Sequence, residues 1–404
     1  VISELLNIVQ PYAWGSHTAL AALRGEAAAT ALPEAELWMG AHPLAPSRLA
    51  TDGQSLPSAI AAAPAPHLGA RVHGEYGAKL PFLLKVLAAG TPLSLQAHPS
   101  LVQARQGFAA DEAAGIALDA PHRNYKDQNH KPELLCALGE FWALCGFREV
   151  PQTLLLLDTL NLAELSPYRA QLAAEPNEVG IAKVFSALMQ LSPALARGLA
   201  EVTAQACRER RLGQGGRFGD ELRWAARLSE LYPGDIGVVS ALLLNLIRLA
   251  PGEAVYLPAG NLHAYLDGIG VEIMASSDNV LRGGLTPKHV NVPELLRVLD
   301  FRPLRVTPLQ PTASGNEHIY PTPAQEFCLS YFDCSHETGG IDVPVDGPEI
   351  WLVTEGSFQL ADAHAPPVSL TRARSAFVSA ATGTLHLRGA GRIFRARVAP
   401  KPAP

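Results

Sequence analysis

The sequence predicts a mainly β fold with α-helices, in which a β unit is interrupted by a helical insertion and followed by a second β unit. Three observations predict it. The chain has 404 residues, and at roughly 100–200 residues per domain that is length for two to four domains with a sizeable core. Up to Phe147, Pro and Gly punctuate the chain at Pro11, Gly15, Pro33, Gly40, Pro43, Pro57, Pro81, Gly90, Pro92 and Pro99, leaving segments suited to short strands and loops. From Pro151 to Leu249, Leu and Ala recur at steps of three and four residues, the period of a helix with one apolar face.

In chain order, Leu83 to Leu87 and Leu93 to Leu95 read as two buried strands around a Gly90-Thr91-Pro92 turn, and Ala59 to Ala63 as a surface loop or short helix. In the middle region, Ser192-Pro193 supplies an N-cap and a first-turn proline. Leu195, Leu199, Val202 and Ala206 then form the expected apolar face, and Arg208 to Arg211 a solvated basic end favoured by the helix dipole rather than an anion site. Gly219-Asp220 opens another helix that Pro233-Gly234 closes. After Pro251-Gly252 strands return at Ala254 to Leu257, Leu262 to Leu266 and Val271 to Met274, with a short helix over Pro293 to Leu299 and a proline-rich linker over Pro303 to Pro323. The last part alternates Glu349 to Val353, Ser357 to Leu360, Ala376 to Val378, Thr384 to Leu387 and Ile393 to Val398 with Gly-containing turns and shows no helix. The expected division is therefore residues 1–147 plus 250–310 for the first β unit, 148–249 for the helical insertion and 320–404 for the C-terminal β unit.

Composition limits the partners. Apolar residues are 48% of the chain and Asp, Glu, Lys and Arg 17%, against a charged fraction of roughly 25% in an average globular protein, which excludes a disordered chain. With 32 basic and 38 acidic residues and a net charge of −6, nothing recommends nucleic acid or an anionic membrane, so an anionic ligand needs a local basic cluster. The longest nearly apolar run, Val238 to Ile247, has ten residues, short of the ~18 that span a bilayer. Cys136, Cys145, Cys207, Cys328 and Cys334 form no CxxC pair, which points to free thiols, a cytoplasmic location and no Cys-based metal knuckle. A monomer is expected.

Four segments can carry chemistry. In Ser94-Leu95-Gln96-Ala97-His98-Pro99, Gln96 and His98 are two apart and leave an extended strand on one face, so an amide oxygen and an imidazole can meet at one point. An ordinary polar strand face is the plainer reading of that pair. In Asn129-His130-Lys131-Pro132-Glu133, Pro132 holds Lys131 extended and puts it on the same side as Glu133, poised for ligation or substrate contact, with a solvated loop entering a strand as the equal alternative. His263 follows a Pro258-Ala259-Gly260 turn, where a strand fixes its ring, although a lone His beside apolar strands is more often a core or surface group. Gln96, His98, Glu133 and His263 together give an N₂O₂ set suited to Zn²⁺ or another borderline divalent ion rather than Ca²⁺ or Mg²⁺. The last segment runs from Gly270 to His289: Glu272 sits in an apolar strand, where a carboxylate is costly unless paired, and Arg282 and Lys288 flank Gly283-Gly284 as two cations that suit a phosphorylated substrate. An Arg–Glu ion pair at a β turn is the alternative there. Trp14 can wall a sugar site or pack in the core.

The strings QPYAWGS, ELWMGAHP, LPFLLKVL, PLSLQAHP, NYKDQNHKPE, PGEAVYLPAGNLHAYL and GVEIMASSDNVLRGGLTPKHV, in that order from Gln10 to Val290, resemble the type I mannose-6-phosphate isomerase family. The resemblance implies a zinc-dependent aldose–ketose isomerase that interconverts mannose 6-phosphate and fructose 6-phosphate and supplies GDP-mannose metabolism. It also implies a cupin or jelly-roll catalytic domain, a helical insertion and a C-terminal β domain that is itself cupin-like. It assigns one Zn²⁺ per chain to Gln96, His98, Glu133 and His263, the catalytic arginine to Arg282, and substrate contacts to Trp14, Lys131, Glu272 and Lys288, with Lys288 favoured for the phosphate. Pro11 stands where an Asn is common and Asn291 where an Asp often follows; neither touches these assignments. The base that moves a proton through a cis-enediol stays open among Glu272, Lys131 and a zinc-bound water. The alternatives are a cupin-type metal oxygenase, against which Gln96 and the cations argue, and a non-catalytic sugar-phosphate-binding cupin.

Overall fold

The computed structural model describes residues 1–213, 216–336, 339–363 and 365–401, and the side chains of residues 211–213, Arg211 of the basic run among them, lie outside the described set. Its strands pair antiparallel in two ten-stranded assemblies, so the chain is mainly β with α, as its texture predicts. The first assembly centres on His263–Ala275, which pairs Phe82–Ala89 and Glu133–Ala137 through its second half and Leu95–Ala97 and Phe141–Phe147 through its first. The sequence reads this strand as two pieces. In the structure it is one 13-residue strand that bends at Gly268, where φ is +122° and an added Cβ would lie 2.6 Å from the Glu140 carbonyl oxygen.

Alternation along these strands divides their residues between two faces. Leu37 and Met39, Leu84 and Val86, Leu134 and Cys136, Val271 and Ile273 all enter one core between the two assemblies, together with Leu352, Phe377 and Phe394 from the second. The intervening residues, Glu36, Trp38, Lys85, Glu133 and Glu272, therefore share the opposite face. Both faces of Phe82–Ala89 are buried, which is why that strand reads as an apolar run broken only by Lys85.

The helical block comprises Val150–Leu160, Ser166–Ala174, Glu178–Met189, Pro193–Gly213, Gly219–Leu231 and Gly237–Ala241. It ends sooner than its apolar period suggests, because Leu244–Leu249 is a strand paired with Phe141–Phe147 and Asn245 Nδ2 donates to the carbonyls of Cys145, Gly146 and Phe147. Within Pro193–Gly213 the buried stripe is Leu199, Ala200, Thr203, Ala204 and Cys207, while Leu195 is 64% exposed, so the packed face is rotated from the one expected. Arg208 donates to Gln205 and Ser229 of neighbouring turns and packing, as a solvated helix end does.

Further differences lie outside the helical block. Helical segments lie where short strands and loops are expected: Pro64–Tyr76, broken by a kink at the non-helical Gly69 (φ +75°), and the 13-residue Leu101–Ala113. The proline-rich stretch before Phe327 carries a hairpin, Thr312–Ser314 with Glu317–Ile319. The second assembly also takes in the start of the chain: Ile2–Leu6 pairs with Ser375–Val378 and with Arg48–Leu49. Its long strands Glu349–Ala361 and Thr384–Arg397 each join two expected pieces across glycines. The five cysteines are free thiols, and no single helix among the described residues is long and apolar enough to cross a membrane.

Candidate active site

Strand register brings His263 opposite Gln96, and Gln96 opposite Arg282 on its other side. Glu133 opens the neighbouring strand, and it pairs in register with Met274 and Leu257. The result is a buried cluster in which one ligand atom each from His98, Glu133 and His263 lies within 4.8 Å of the others. His98 Nε2 is 3.4 Å from Glu133 Oε1, His263 Nε2 is 3.4 Å from Glu133 Oε2, and the Gln96 amide is 3.3 Å from His263 Nε2. Tetrahedral bonds of about 2.0–2.1 Å to zinc place neighbouring ligand atoms about 3.4 Å apart, so these separations fit a zinc ion. A half-turn of the Gln96 amide presents its oxygen at the same point.

The hydrogen bonds around the cluster agree. His98 Nδ1 donates to the Asn279 carbonyl at 2.7 Å and His263 Nδ1 to the Asn261 carbonyl at 3.0 Å, which fixes both rings with Nε2 directed at the centre. His98 Nε2 and Glu133 Oε2 are buried with no hydrogen-bond partner, a costly arrangement that a cation at the centre relieves. Burial pushes the His98 imidazole down to about 4, against the opposing pull of Glu133, so the ring is neutral and available as a ligand. Burial alone would raise the Glu133 carboxyl, but Lys131, His98 and His263 hold it well below the ordinary value. Lys131 Nζ sits 2.9 Å from Glu133 Oε1.

Beside the cluster the shared face of the strands carries a second polar group. Lys85 Nζ lies 3.2 Å from Glu36 Oε1 and 3.4 Å from Glu272 Oε2, above the Trp38 ring, and Tyr265 donates its hydroxyl to Glu272 at 2.9 Å. Burial raises the Glu272 carboxyl, Lys85 opposes this and Glu133 adds to it. The Lys85 ammonium stays charged despite its burial because Glu36, Glu272 and Glu133 raise it. Arg282 is half-buried and makes no hydrogen bond or ion pair among the described residues; burial lowers its pKa. It lines a small cavity with His122, Asn124 and His289. Lys288 is exposed, with its pKa lowered by partial burial and by Arg282. Each of the two cations is without an ion-pair partner among the described residues, and Lys288 feels the charge of Arg282. Trp14 is half-buried against the cluster that contains Leu135 and Tyr265.

Gln96, His98, Lys131, Glu133 and His263 therefore converge, Glu272 lies one network away through Lys85 and Tyr265, and Arg282 and Lys288 form a separate cationic wall. Lys85, Glu36, Tyr265 and Asn279 are further members of the site that the motifs do not single out. Lys85 had a signal, a lone charge inside an apolar strand that requires a partner. Asn279 had none, since its partners lie about 150 residues away.

Residues 2–150 match the model of the phosphomannose isomerase type I catalytic domain. The chain is 38% identical over 399 residues to mannose-6-phosphate isomerase of Escherichia coli (strain K12), covering 98% of this chain and 99% of that one. It superposes with a TM-score of 0.90 and 37% identity on a crystal structure of a mutant phosphomannose isomerase from Salmonella typhimurium, covering 99% of this chain and 100% of that chain. A crystal structure of zinc-bound mannose 6-phosphate isomerase gives a TM-score of 0.89 at 38% identity, over 99% of this chain and 100% of the other.

Proposed function

The chain belongs to the type I phosphomannose isomerase family and is an isomerase on a cupin-like fold, and from that premise we propose that it interconverts D-mannose 6-phosphate and D-fructose 6-phosphate through a cis-enediol, in the service of mannose and GDP-mannose metabolism. The observation that carries this reading is the pair of orphaned buried atoms, His98 Nε2 and Glu133 Oε2, on strands where Arg282 stands opposite Gln96 in register and has no ion pair among the described residues. Gln96, His98, Glu133 and His263 would hold one zinc ion per chain. When bound, zinc supplies a Lewis acid that polarises the sugar's carbonyl and hydroxyl oxygens.

The remaining work falls to the chain's own side chains. Isomerisation removes a proton from C2 of the aldose and returns one to C1, so the base must hold a proton briefly and release it at the neighbouring carbon. Glu272 suits this role: it is buried, burial raises its carboxyl above the ordinary value and so makes it a stronger base, and Tyr265 and Lys85 fix its orientation. Lys131 is already engaged with Glu133 at 2.9 Å, which suits it to orient a hydroxyl beside the metal ligands. Arg282 stabilises the enediolate as negative charge develops, and Lys288 takes the phosphate. Trp14 walls the sugar. Burial of His98, Glu133, His263 and Glu272 excludes water from the enediol and prevents loss of its proton to solvent.

A coupled assay for fructose 6-phosphate tests the reading. Activity on mannose 6-phosphate should vanish with a chelator and return with added Zn²⁺, and Arg282→Ala should lose at least about 100-fold in kcat while retaining zinc. Turnover that survives chelation, or Arg282→Ala with parental kcat, overturns it.

A further inference from the structure

Neither the loop that leads into Lys131 and Glu133 nor the turn that leads into Arg282 is held by sheet pairing. Residues 126–130 and 276–280 lie outside every strand and helix. Yet they carry site residues at their ends, so something other than a ladder must fix them.

The side chain of Asn279 does this. It is fully buried and uses its whole hydrogen-bonding capacity on the opposite loop. Oδ1 accepts from the backbone N–H of Lys126 at 2.7 Å and of Asp127 at 3.2 Å. Nδ2 donates to the Asp127 carbonyl at 2.9 Å, to the Asn129 carbonyl at 2.9 Å and to Asp127 Oδ1 at 3.2 Å. Asp127 answers from the other side, accepting from Ser277 Oγ at 2.9 Å and from the Asp278 N–H at 2.7 Å. Meanwhile the backbone carbonyl of Asn279 is the acceptor for His98 Nδ1. One residue therefore touches both the histidine of the cluster and the loop that delivers Lys131 and Glu133.

We propose that Asn279 is a positioning residue that locks the His98 ring and the Lys126–Asn129 loop into one register, so that His98, Glu133 and Lys131 arrive at the metal centre together. The inference depends on the zinc-isomerase reading above. Its chemistry demands an amide: donors and acceptors are both needed within one small planar group, and an isosteric carboxylate would set negative charge against Asp127 and two carbonyl oxygens.

The test uses Asn279→Asp in the full chain, with zinc removed and returned. Competition with a chromophoric chelator measures zinc affinity, and kcat and KM are taken at saturating zinc. Loss of an outer partner of a metal ligand typically costs 10–100-fold, so the zinc Kd should rise at least about tenfold. At saturating zinc, kcat should fall at least about tenfold with KM changed less than about threefold, because Lys131 is misplaced while the phosphate contacts remain. A residue that merely supported the fold would lower the Tm of the zinc-free protein and leave both quantities alone. Should Asn279→Asp fail to fold, Ser277→Ala removes only one arm of the clasp and should shift both quantities in the same direction by about threefold. Zinc affinity and saturated kcat within twofold of the parent, in whichever variant folds, overturn the proposal. If the parent itself neither binds zinc nor isomerises the sugar, the functional reading has failed instead, and the two failures are told apart by the parent alone.

Discussion

His98 is 1% exposed and its pKa is pushed down to about 4 by burial, whereas an unfolded His titrates near ~6.5. Between those values the unfolded chain binds a proton that the folded chain refuses, so His98 contributes stability that is fully present above pH ~6.5 and lost as pH falls toward 4. From pH 7.5 to pH 5 the loss is about 2 kcal/mol, at 1.36 kcal/mol per unit of pH over the titrating range. Urea denaturation of the zinc-free protein at the two pH values should show that decrement, and His98→Gln should lack it. Equal pH dependence in parent and variant would mean that the buried ring is not held neutral. A neutral imidazole with its Nδ1 proton given to the Asn279 carbonyl can direct only Nε2 at a metal.

Helix Leu101–Ala113 buries Ala104, Gly107 and Asp111 and leaves Val102 64% exposed. Its packed face is small and polar, with no apolar period, which is why the sequence concealed it despite the Ser100/Gln103 capping box. The reason for that face is Tyr125, buried against the helix so closely that a Cβ on Gly107 would lie 2.2 Å from its ring. Gly→Ala in a helix interior ordinarily gains about 1 kcal/mol. Here the sign should reverse: Gly107→Ala should lower stability by about 1–3 kcal/mol, since the Tyr125 hydroxyl is tied to Glu294 and Arg297 and the ring cannot retreat. A Gly107→Ala protein with parental or higher urea midpoint would sink that account. Legibility followed the same logic across the elements. Gln96 and His98 were readable because strand alternation puts i and i+2 on one face, and the helices after Val150 because apolar period survives at their packed faces. Strand His263–Ala275 reads as two because a glycine inside a strand signals a break in sequence, although in three dimensions the strand runs on through Gly268. The Asp127–Asn279 clasp was invisible because both partners are loop residues without periodicity.

At the scale of the molecule, the two β assemblies repeat one device. On the first, Trp38 donates its indole N–H to Glu36 at 2.8 Å, and Lys85, opposite Trp38 in register, pairs with Glu36. On the second, Trp351 donates to Glu349 at 2.8 Å, and Arg395, opposite Trp351, pairs with Glu349. The difference lies in the cation's free side. Lys85 goes on to Glu272 at the site, whereas Arg395 is closed off by Glu317 and the Pro344 carbonyl, leaving a structural plug where the first assembly keeps a functional group. The assemblies are also fused by their shared core. Leu84, Val86, Leu134 and Ile273 behind the site pack with Leu352, Phe377 and Phe394 of the second assembly, and Leu5 and Leu49 belong to that same core. Tyr320 adds hydrogen bonds across the seam, to Cys136 Sγ at 3.0 Å and to the Gly252 carbonyl at 2.7 Å. A chain cut after residue 310 would expose the apolar side of the very strands that carry Lys85, Glu133 and Glu272, and would leave Ile2–Leu6 without its partner Ser375–Val378. Exposed apolar sheet of that extent drives association rather than folding. The fragment 1–310 should therefore be insoluble or lack near-ultraviolet circular dichroism, and the full chain should unfold through a single transition in which loss of zinc-site geometry coincides with loss of the second assembly. A soluble 1–310 fragment that binds zinc with parental affinity would show instead that the C-terminal unit is an independent module, and that the strand face behind the site needs no cover.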